Sequence, residues 1–226
     1  MKAMILAAGE GRRMRPLTLD TPKPLLQVNG ISLIERHITA LKAAGFDELI
    51  INIAYLGAQI KSALGDGERF GVSICYSEEG APLETGGAIR HALPKLGEQP
   101  FLLVNADILF DYDYSQLCEI EVPDSGAHLV MIANPPHNPR GDFALNSDSE
   151  ICIRSAEVKY RYPSLTFSGL SVFDPKMISQ YPKLREKFPL LEVFQYAIAK
   201  RRLRGEFYRG NWSDVGTPER LAALNQ

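Results

Sequence analysis

Residues 2–8, KAMILAA, are apolar at every position but the first. A run apolar on both alternating faces is the pattern of a strand buried on both sides in a parallel sheet. The glycines at 9 and 11 end it in a turn. Ser32 with Glu35 three positions on makes a capping box, and Ile34, Ile38 and Leu41 keep helical spacing until Gly45, so a helix is predicted there. The same reasoning predicts a strand over 49–54, a short helix over 58–64 closed by Gly65, and a strand over 72–76. A helix over 86–93 should stop before Pro94, and a fourth apolar strand over 101–104 leads straight into Asn105, Ala106 and Asp107. Strands and helices in turn give an α/β fold with a doubly wound, mostly parallel sheet.

Beyond residue 120 the rhythm changes. Residues 129–133, 143–145, 151–153 and 165–173 are strand-like, with turn-rich segments between them, which predicts a smaller, partly antiparallel lobe. Residues 134–141 carry three prolines and read as an irregular loop over a site. Helical character returns over 190–201, a short strand follows over 206–208, and Pro218 opens a last helix. No repeat or linker divides the chain. We expect a single domain over 1–226, with a change of character at about residue 120.

Composition narrows the class more than it names a function. Apolar residues make up 45% and charged residues 23%, so the chain should fold as an ordinary globular protein. A net charge of −2 supplies no field toward nucleic acid or an anionic membrane, so neither is expected as a partner. Cys75, Cys118 and Cys152 have no metal-binding spacing and read as small buried or half-buried residues of a reducing compartment. The apolar start is too short for a signal peptide or a membrane span, so a cytoplasmic protein is expected. The four histidines, 37, 91, 128 and 137, show no metal spacing and read as packing or surface residues.

The candidate chemistry begins at LAAGEGRRMRPLT, residues 6–18. Ala8, Gly9 and Gly11 leave backbone N–H groups free to turn toward an anion, and Arg12, Arg13 and Arg15 add guanidinium forks suited to phosphate oxygens. No Gly-Lys-Ser/Thr ends the segment, and Met14 stands where a dinucleotide fingerprint needs its third glycine, which disfavours a nicotinamide dehydrogenase. Lys23, held between Pro22 and Pro24, is a restricted cation of the kind that meets a phosphate. Asp107 should emerge at the carboxyl edge of the sheet, where open α/β folds bind ligands and where a carboxylate can hold a hard divalent cation. Asp214 is a second acid near a strand end; taken singly, each acid is also the residue type that caps a turn. Glu84, Thr85 and Gly86 stand at a predicted helix start where backbone can lie close to a flat nucleobase, and Thr85 is placed to cap that helix.

The segment from Leu6 to Pro24 resembles the signature of the sugar-1-phosphate nucleotidyltransferases: Gly9, Gly11 and Arg13, then Pro16, Leu17 and Thr18, then Pro22, Lys23 and Pro24. Asn105 to Asp107 is similar to that family's Asn-Gly-Asp metal motif, with Ala106 in place of glycine, and Trp212 to Thr217 to its Trp-x-Asp-Val-Gly-Thr. The resemblance implies that Asp107 and Asp214 bind Mg2+, that Arg13 and Lys23 carry catalysis, and that a sugar 1-phosphate attacks the α-phosphate of a nucleoside triphosphate. It also implies a nucleotide-binding half over about 1–120 and a sugar-binding half over about 121–226, with sugar contacts at Asn105, Asp142, Thr166 and Gly169. The tracts 83–88, 140–143 and 166–169 look most like members that use UTP and N-acetylmuramate 1-phosphate in peptidoglycan recycling. Members that transfer guanylyl to mannose 1-phosphate more commonly show Leu-Gly-Thr-Ala-Gly where this chain has Leu83, Glu84, Thr85, Gly86 and Gly87. Guanylyl transfer and a non-catalytic nucleotide-sugar sensor remain the alternatives. From the length we expect no added acetyltransferase or isomerase domain, and a monomer or small homo-oligomer is expected.

Overall fold

The computed structural model describes residues 1–154 and 161–226. In chain order the elements are β1 (Lys2–Leu6), the hairpin β2 (Gln27–Val28) and β3 (Ile31–Ser32), α1 (Leu33–Ala43), β4 (Glu48–Ile53), α2 (Gly57–Leu64) and β5 (Ser73–Glu78). Next come α3 (Glu84–Leu96), β6 (Phe101–Asn105), β7 (Ile108–Phe110), β8 (Ala127–Ile132), β9 (Phe143–Leu145), β10 (Ile151–Cys152) and β11 (Ser164–Phe173). The chain closes with α4 (Lys176–Ser179), α5 (Leu190–Ala199), β12 (Leu203–Phe207), β13 (Trp212–Asp214) and α6 (Pro218–Ala223).

β1 lies between β4 and β6, parallel to both, and β5 extends the parallel set beyond β4. On the other flank β11 pairs antiparallel with β6, and β9 and β10 continue from it. β8 pairs with β11, and β12 lies parallel to β8. The antiparallel strands predicted after residue 120 therefore extend the central sheet itself. No helix among the described residues is long and apolar enough to cross a membrane.

The unbroken apolar run of β1 serves two cores at once. Ala3 and Ile5 face one layer with Ile34 and Ile38 of α1 and Ile60 of α2, while Met4 faces the other with Ile89 of α3 and Val193 of α5. Adjacent strand residues point to opposite faces, so a strand covered by helices on both sides must be apolar at every position. Deleting one such side chain, Ile5→Ala for example, removes about 2–5 kcal/mol. α1 starts as the sequence requires: Ser32 and Glu35 form the reciprocal capping box.

Three expectations are corrected. α3 continues through Pro94 to Leu96. The N–H that proline lacks would have served the carbonyl of exposed Arg90 one turn back, while the extra residues bury Leu96 to 2% exposure. Thr85 does not cap α3, because the cap position is Leu83, with no side-chain bond, and Thr85 sits inside the first turn. Cys75 and Cys118 are exposed rather than buried; only Cys152 is half-buried.

Candidate active site

The carboxyl ends of β1, β4 and β6 meet where the chain order reverses: β4 and β5 lie to one side of β1, and β6 to the other. Diverging loops at such a switch point leave a crevice. Here it is a cleft of about 260 Å³ whose wall includes Ala8 and Gly9 after β1, Lys23, Glu84 and Thr85 at the start of α3, and Asn105 and Asp107 after β6. Residues separated by up to 101 positions in sequence, Leu6 and Asp107, thus share one hollow.

A buried polar network that the sequence reading did not single out sets one wall of this cleft. Glu79, 7% exposed, accepts from the Leu83 N–H at 2.9 Å and from Asn52 Nδ2 at 2.7 Å. Asn52 Oδ1 in turn accepts from the Ala7 N–H at 2.8 Å. One carboxyl group therefore ties the end of β1, the end of β4 and the segment before α3 together. The signal available in sequence was Asn52 itself, a lone amide inside the apolar run 49–53.

Lys23 opens a short 3-10 turn, Lys23–Leu25, whose entry is fixed by Pro22, and its ammonium pairs with the Asp107 carboxylate. Only 12% of the lysine side chain is exposed, so its charge is aimed into the cleft rather than at solvent. Asp107 and Asp214 come together through a small ribbon in which β13 pairs antiparallel with β7, and the Val215 N–H donates to the Asp107 carbonyl at 2.8 Å. The Asp214 carboxylate pairs with Arg220 of α6 and lies 3.0 Å from His137 Nε2. The proline-rich loop 134–141 thus reaches the second acid through His137, a contact that no spacing in the sequence announced.

At the glycine turn, Arg12 closes on Glu10 at 2.6 Å and holds its carboxyl below the ordinary value. Arg13 is exposed and makes no ion pair among the described residues. Gly11 accepts from the Thr18 hydroxyl at 2.8 Å, which fastens the turn. Gly11, Arg12, Arg13 and Asp214 lie outside the cleft wall itself. So does Gly86, which is covered by Phe188: a Cβ there would stand 2.5 Å from the phenyl ring. Glu84 adopts φ 60, a left-handed conformation that glycine takes without cost.

The residues expected to meet a sugar fall in two places. Gly169 lies against Asn105, where an added Cβ would be 2.7 Å from the amide nitrogen, and the pairing of β11 with β8 shifts register between Phe167 and Ser171 around it. Trp212 Nε1 donates to the Ser168 carbonyl at 2.9 Å and braces the same irregularity. Further along β11, Asp142 accepts from the Phe167 N–H at 2.9 Å and from Asn138 Nδ2 at 3.0 Å, and Asn138 also reaches Thr166 Oγ1 at 3.1 Å. Asn105 lines the cleft, whereas Asp142, Thr166 and Gly169 do not.

The donor set suits a hard divalent ion. Asp107 and Asp214 carry oxygen donors of the type magnesium prefers, and their backbones are joined by the Val215–Asp107 bond, but only Asp107 lines the cleft. No group of three or more His, Cys, Asp or Glu residues that could hold a metal ion converges among the described residues.

The family model described as "Nucleotidyl transferase" matches residues 2–226. The chain is 48% identical to an N-acetylmuramate alpha-1-phosphate uridylyltransferase of Neisseria meningitidis serogroup B, over 98% of this chain and 95% of that protein. It is 31% identical to an enzyme of the same description from Caulobacter vibrioides, over 98% and 94% of the two chains. A mannose-1-phosphate guanylyltransferase of Mycobacterium tuberculosis is 31% identical over 96% of this chain but only 61% of its own length. Among solved structures, a putative glucose-1-phosphate thymidylyltransferase from Bacillus anthracis superposes with a TM-score of 0.84 at 23% identity, covering 100% of this chain and 94% of that one, which establishes the shared fold. By the full-length family match and these relatives, the chain belongs to the nucleotidyl transferase family.

Proposed function

We propose that this protein transfers a uridylyl group from UTP to N-acetylmuramate α-1-phosphate, forming UDP-N-acetylmuramate and releasing pyrophosphate. The observation that carries the chemistry is the convergence of the glycine turn, Lys23, Asp107 and the Glu84–Thr85 wall on one cleft. The choice of base and sugar is supported by the 48% identity to a uridylyltransferase of nearly equal length.

The reaction joins two anions, so the protein's task is charge neutralisation and alignment. The uracil lies against residues 83–85, which the Glu79 network holds in place, and the triphosphate follows the glycine turn toward Arg13. Lys23 holds phosphate oxygens at the reacting end. A sugar 1-phosphate oxygen forms a new bond to the α-phosphorus, the bond to the bridging oxygen breaks, and its electron pair leaves with pyrophosphate. The attacking oxygen is already ionised at neutral pH, so no side chain need remove a proton. Arg13 stabilises the charge that accumulates on the leaving pyrophosphate. Asp107 and Asp214 would hold magnesium, which when bound neutralises phosphate charge during transfer.

A panel of triphosphates and sugar 1-phosphates, read by pyrophosphate release, tests the assignment. UTP with N-acetylmuramate 1-phosphate should be the preferred pair. Preference for GTP with mannose 1-phosphate would move the protein to guanylyl transfer, and tight nucleotide binding without turnover of any pair would make it a sensor.

A further inference from the structure

The two oxygens of the Asp214 carboxylate have different surroundings. Arg220 Nη1 donates to Oδ1, and His137 Nε2 lies 3.0 Å from that same atom and 3.4 Å from Arg220 Nη1. Oδ2 accepts no hydrogen bond among the described residues. Asp107 is divided in the same way: Lys23 pairs with its Oδ2, and its Oδ1 has no hydrogen-bond partner among the described residues. Each acid therefore has one oxygen in the grip of a cation and one without a partner.

The chain after Asp214 is shaped for this contact. Thr217 caps α6 by accepting from the Arg220 N–H at 3.4 Å, which places Arg220 in the first turn of the helix. Its guanidinium then returns across Gly216: a Cβ there would stand 2.7 Å from Asp214 Oδ2 and 2.8 Å from Arg220 Nη1. The φ at 216 is not positive, so space rather than backbone freedom calls for glycine. Only 17% of the acid side chain and 26% of the arginine side chain are exposed, so salt screens the pair less than it would a surface pair.

We infer that Arg220 is a positioning residue for the divalent ion: it holds Asp214 by Oδ1, across Gly216, and leaves Oδ2 to the metal. This deepens the proposed function and rests on the role given there to Asp214. Magnesium demands near-ideal octahedral geometry and takes few protein carboxylates, so the direction of each carboxylate oxygen matters. The guanidinium acts on the ion in two opposed ways. Its charge repels the metal, whereas its hydrogen bond stops the carboxylate from turning away. Loss of such an outer partner typically costs about 10–100-fold in metal affinity, so alignment is the larger effect.

Mn2+ is the probe, titrated into the metal-free protein with the free ion read by electron paramagnetic resonance. Arg220→Met should raise the Mn2+ Kd about tenfold while keeping a native circular dichroism spectrum, and should raise the Mg2+ concentration that half-saturates turnover by a similar factor. Arg220→Lys keeps the charge and a donor and should lose only about threefold, and Ala223→Gln, an exposed change on the same helix, should match wild type. Gly216→Ala is an independent variant that leaves Arg220 in the chain but forces its guanidinium aside, and it too should weaken Mn2+ by at least about threefold. Removing a positive charge by itself favours a cation, so weaker binding by folded Arg220→Met reports lost alignment. A weakening under threefold in Arg220→Met, tighter binding, or no Mn2+ uptake by wild type overturns the inference. Asp214→Asn separates the two readings. If it weakens Mn2+ and Arg220→Met does not, Arg220 alone loses its role; if neither does, the metal role of Asp214 falls as well. Mn2+ binding involves neither base nor sugar, so the result stands whichever substrates are used.

Discussion

Glu79→Ala removes the acceptor for two buried donors at once, the Leu83 N–H at 2.9 Å and Asn52 Nδ2 at 2.7 Å. Each orphaned buried donor costs about 1–3 kcal/mol. Asn52 has no free alternative, since turning its amide would forfeit the bond that Oδ1 accepts from the Ala7 N–H at 2.8 Å. Removing a buried carboxyl also relieves part of its desolvation cost, so the net loss should be about 2–4 kcal/mol. At about 2–4 °C per kcal/mol for a chain of this size, the unfolding midpoint falls by roughly 4–16 °C. Glu79→Gln keeps one acceptor but presents an NH2 group to the other donor, and should lose about half as much. Urea unfolding followed by circular dichroism measures the stability, and steady-state kinetics with UTP should show a KM increase beyond that of a surface control, because the cleft wall proposed to meet the base loosens. A stability loss under about 0.5 kcal/mol together with an unchanged triphosphate KM would refute this reading of the network.

Other consequences are equally specific. At Glu84, where φ is 60, the usual helix ranking should invert: Glu84→Gly should be more stable than Glu84→Ala by about 1 kcal/mol, measured by urea unfolding, whereas ordinary helix positions favour alanine by a similar amount. His37 is fully buried beside Tyr114, its Nε2 has no partner in hydrogen-bond geometry, and burial pushes its pKa down to about 4 against opposing effects of the Ile108 carbonyl and the Asp107 charge. The unfolded chain therefore takes up this proton near pH 6.5 and the native one only near about 4, so stability is full above the unfolded value and is lost as pH falls through that window. The loss amounts to about 3 kcal/mol, and unfolding midpoints of His37→Gln should lack that part of the pH dependence. Arg13→Ala should slow turnover by about two to four orders of magnitude if it neutralises the leaving pyrophosphate, and a loss under threefold in steady-state rate would leave it a loop residue.

The sequence is most legible where local rules and tertiary demands agree. The first strand is apolar on both faces because helices cover both faces, and the Ser32–Glu35 box forms because both halves lie within one turn of each other. The signature segment locates Gly9 and Lys23 on the cleft because short stiff turns carry them there. What escapes reading is long-range pairing. β7 and β13 have three residues each and pair across about 100 positions, yet they are what bring Asp214 beside Asp107. His137 at Asp214 and Glu79 at Asn52 likewise depend on where loops land, which no periodicity encodes. Pro94 misleads because a proline near a helix end costs one exposed bond, less than the burial of Leu96 returns. Thr85 misleads because the chain enters α3 through Leu83 and a left-handed Glu84, leaving the hydroxyl two positions too deep to cap.

The central claim is that Asp107, beside Lys23 at the edge of β6, organises transfer between two phosphates. The most direct measurement is the single-turnover rate of UDP-sugar formation from UTP and N-acetylmuramate 1-phosphate with saturating magnesium, wild type against Asp107→Asn, with circular dichroism as the control for folding. The account predicts a native spectrum and a rate lowered at least about a hundredfold. A folded Asp107→Asn protein that forms product within threefold of the wild-type rate would contradict it.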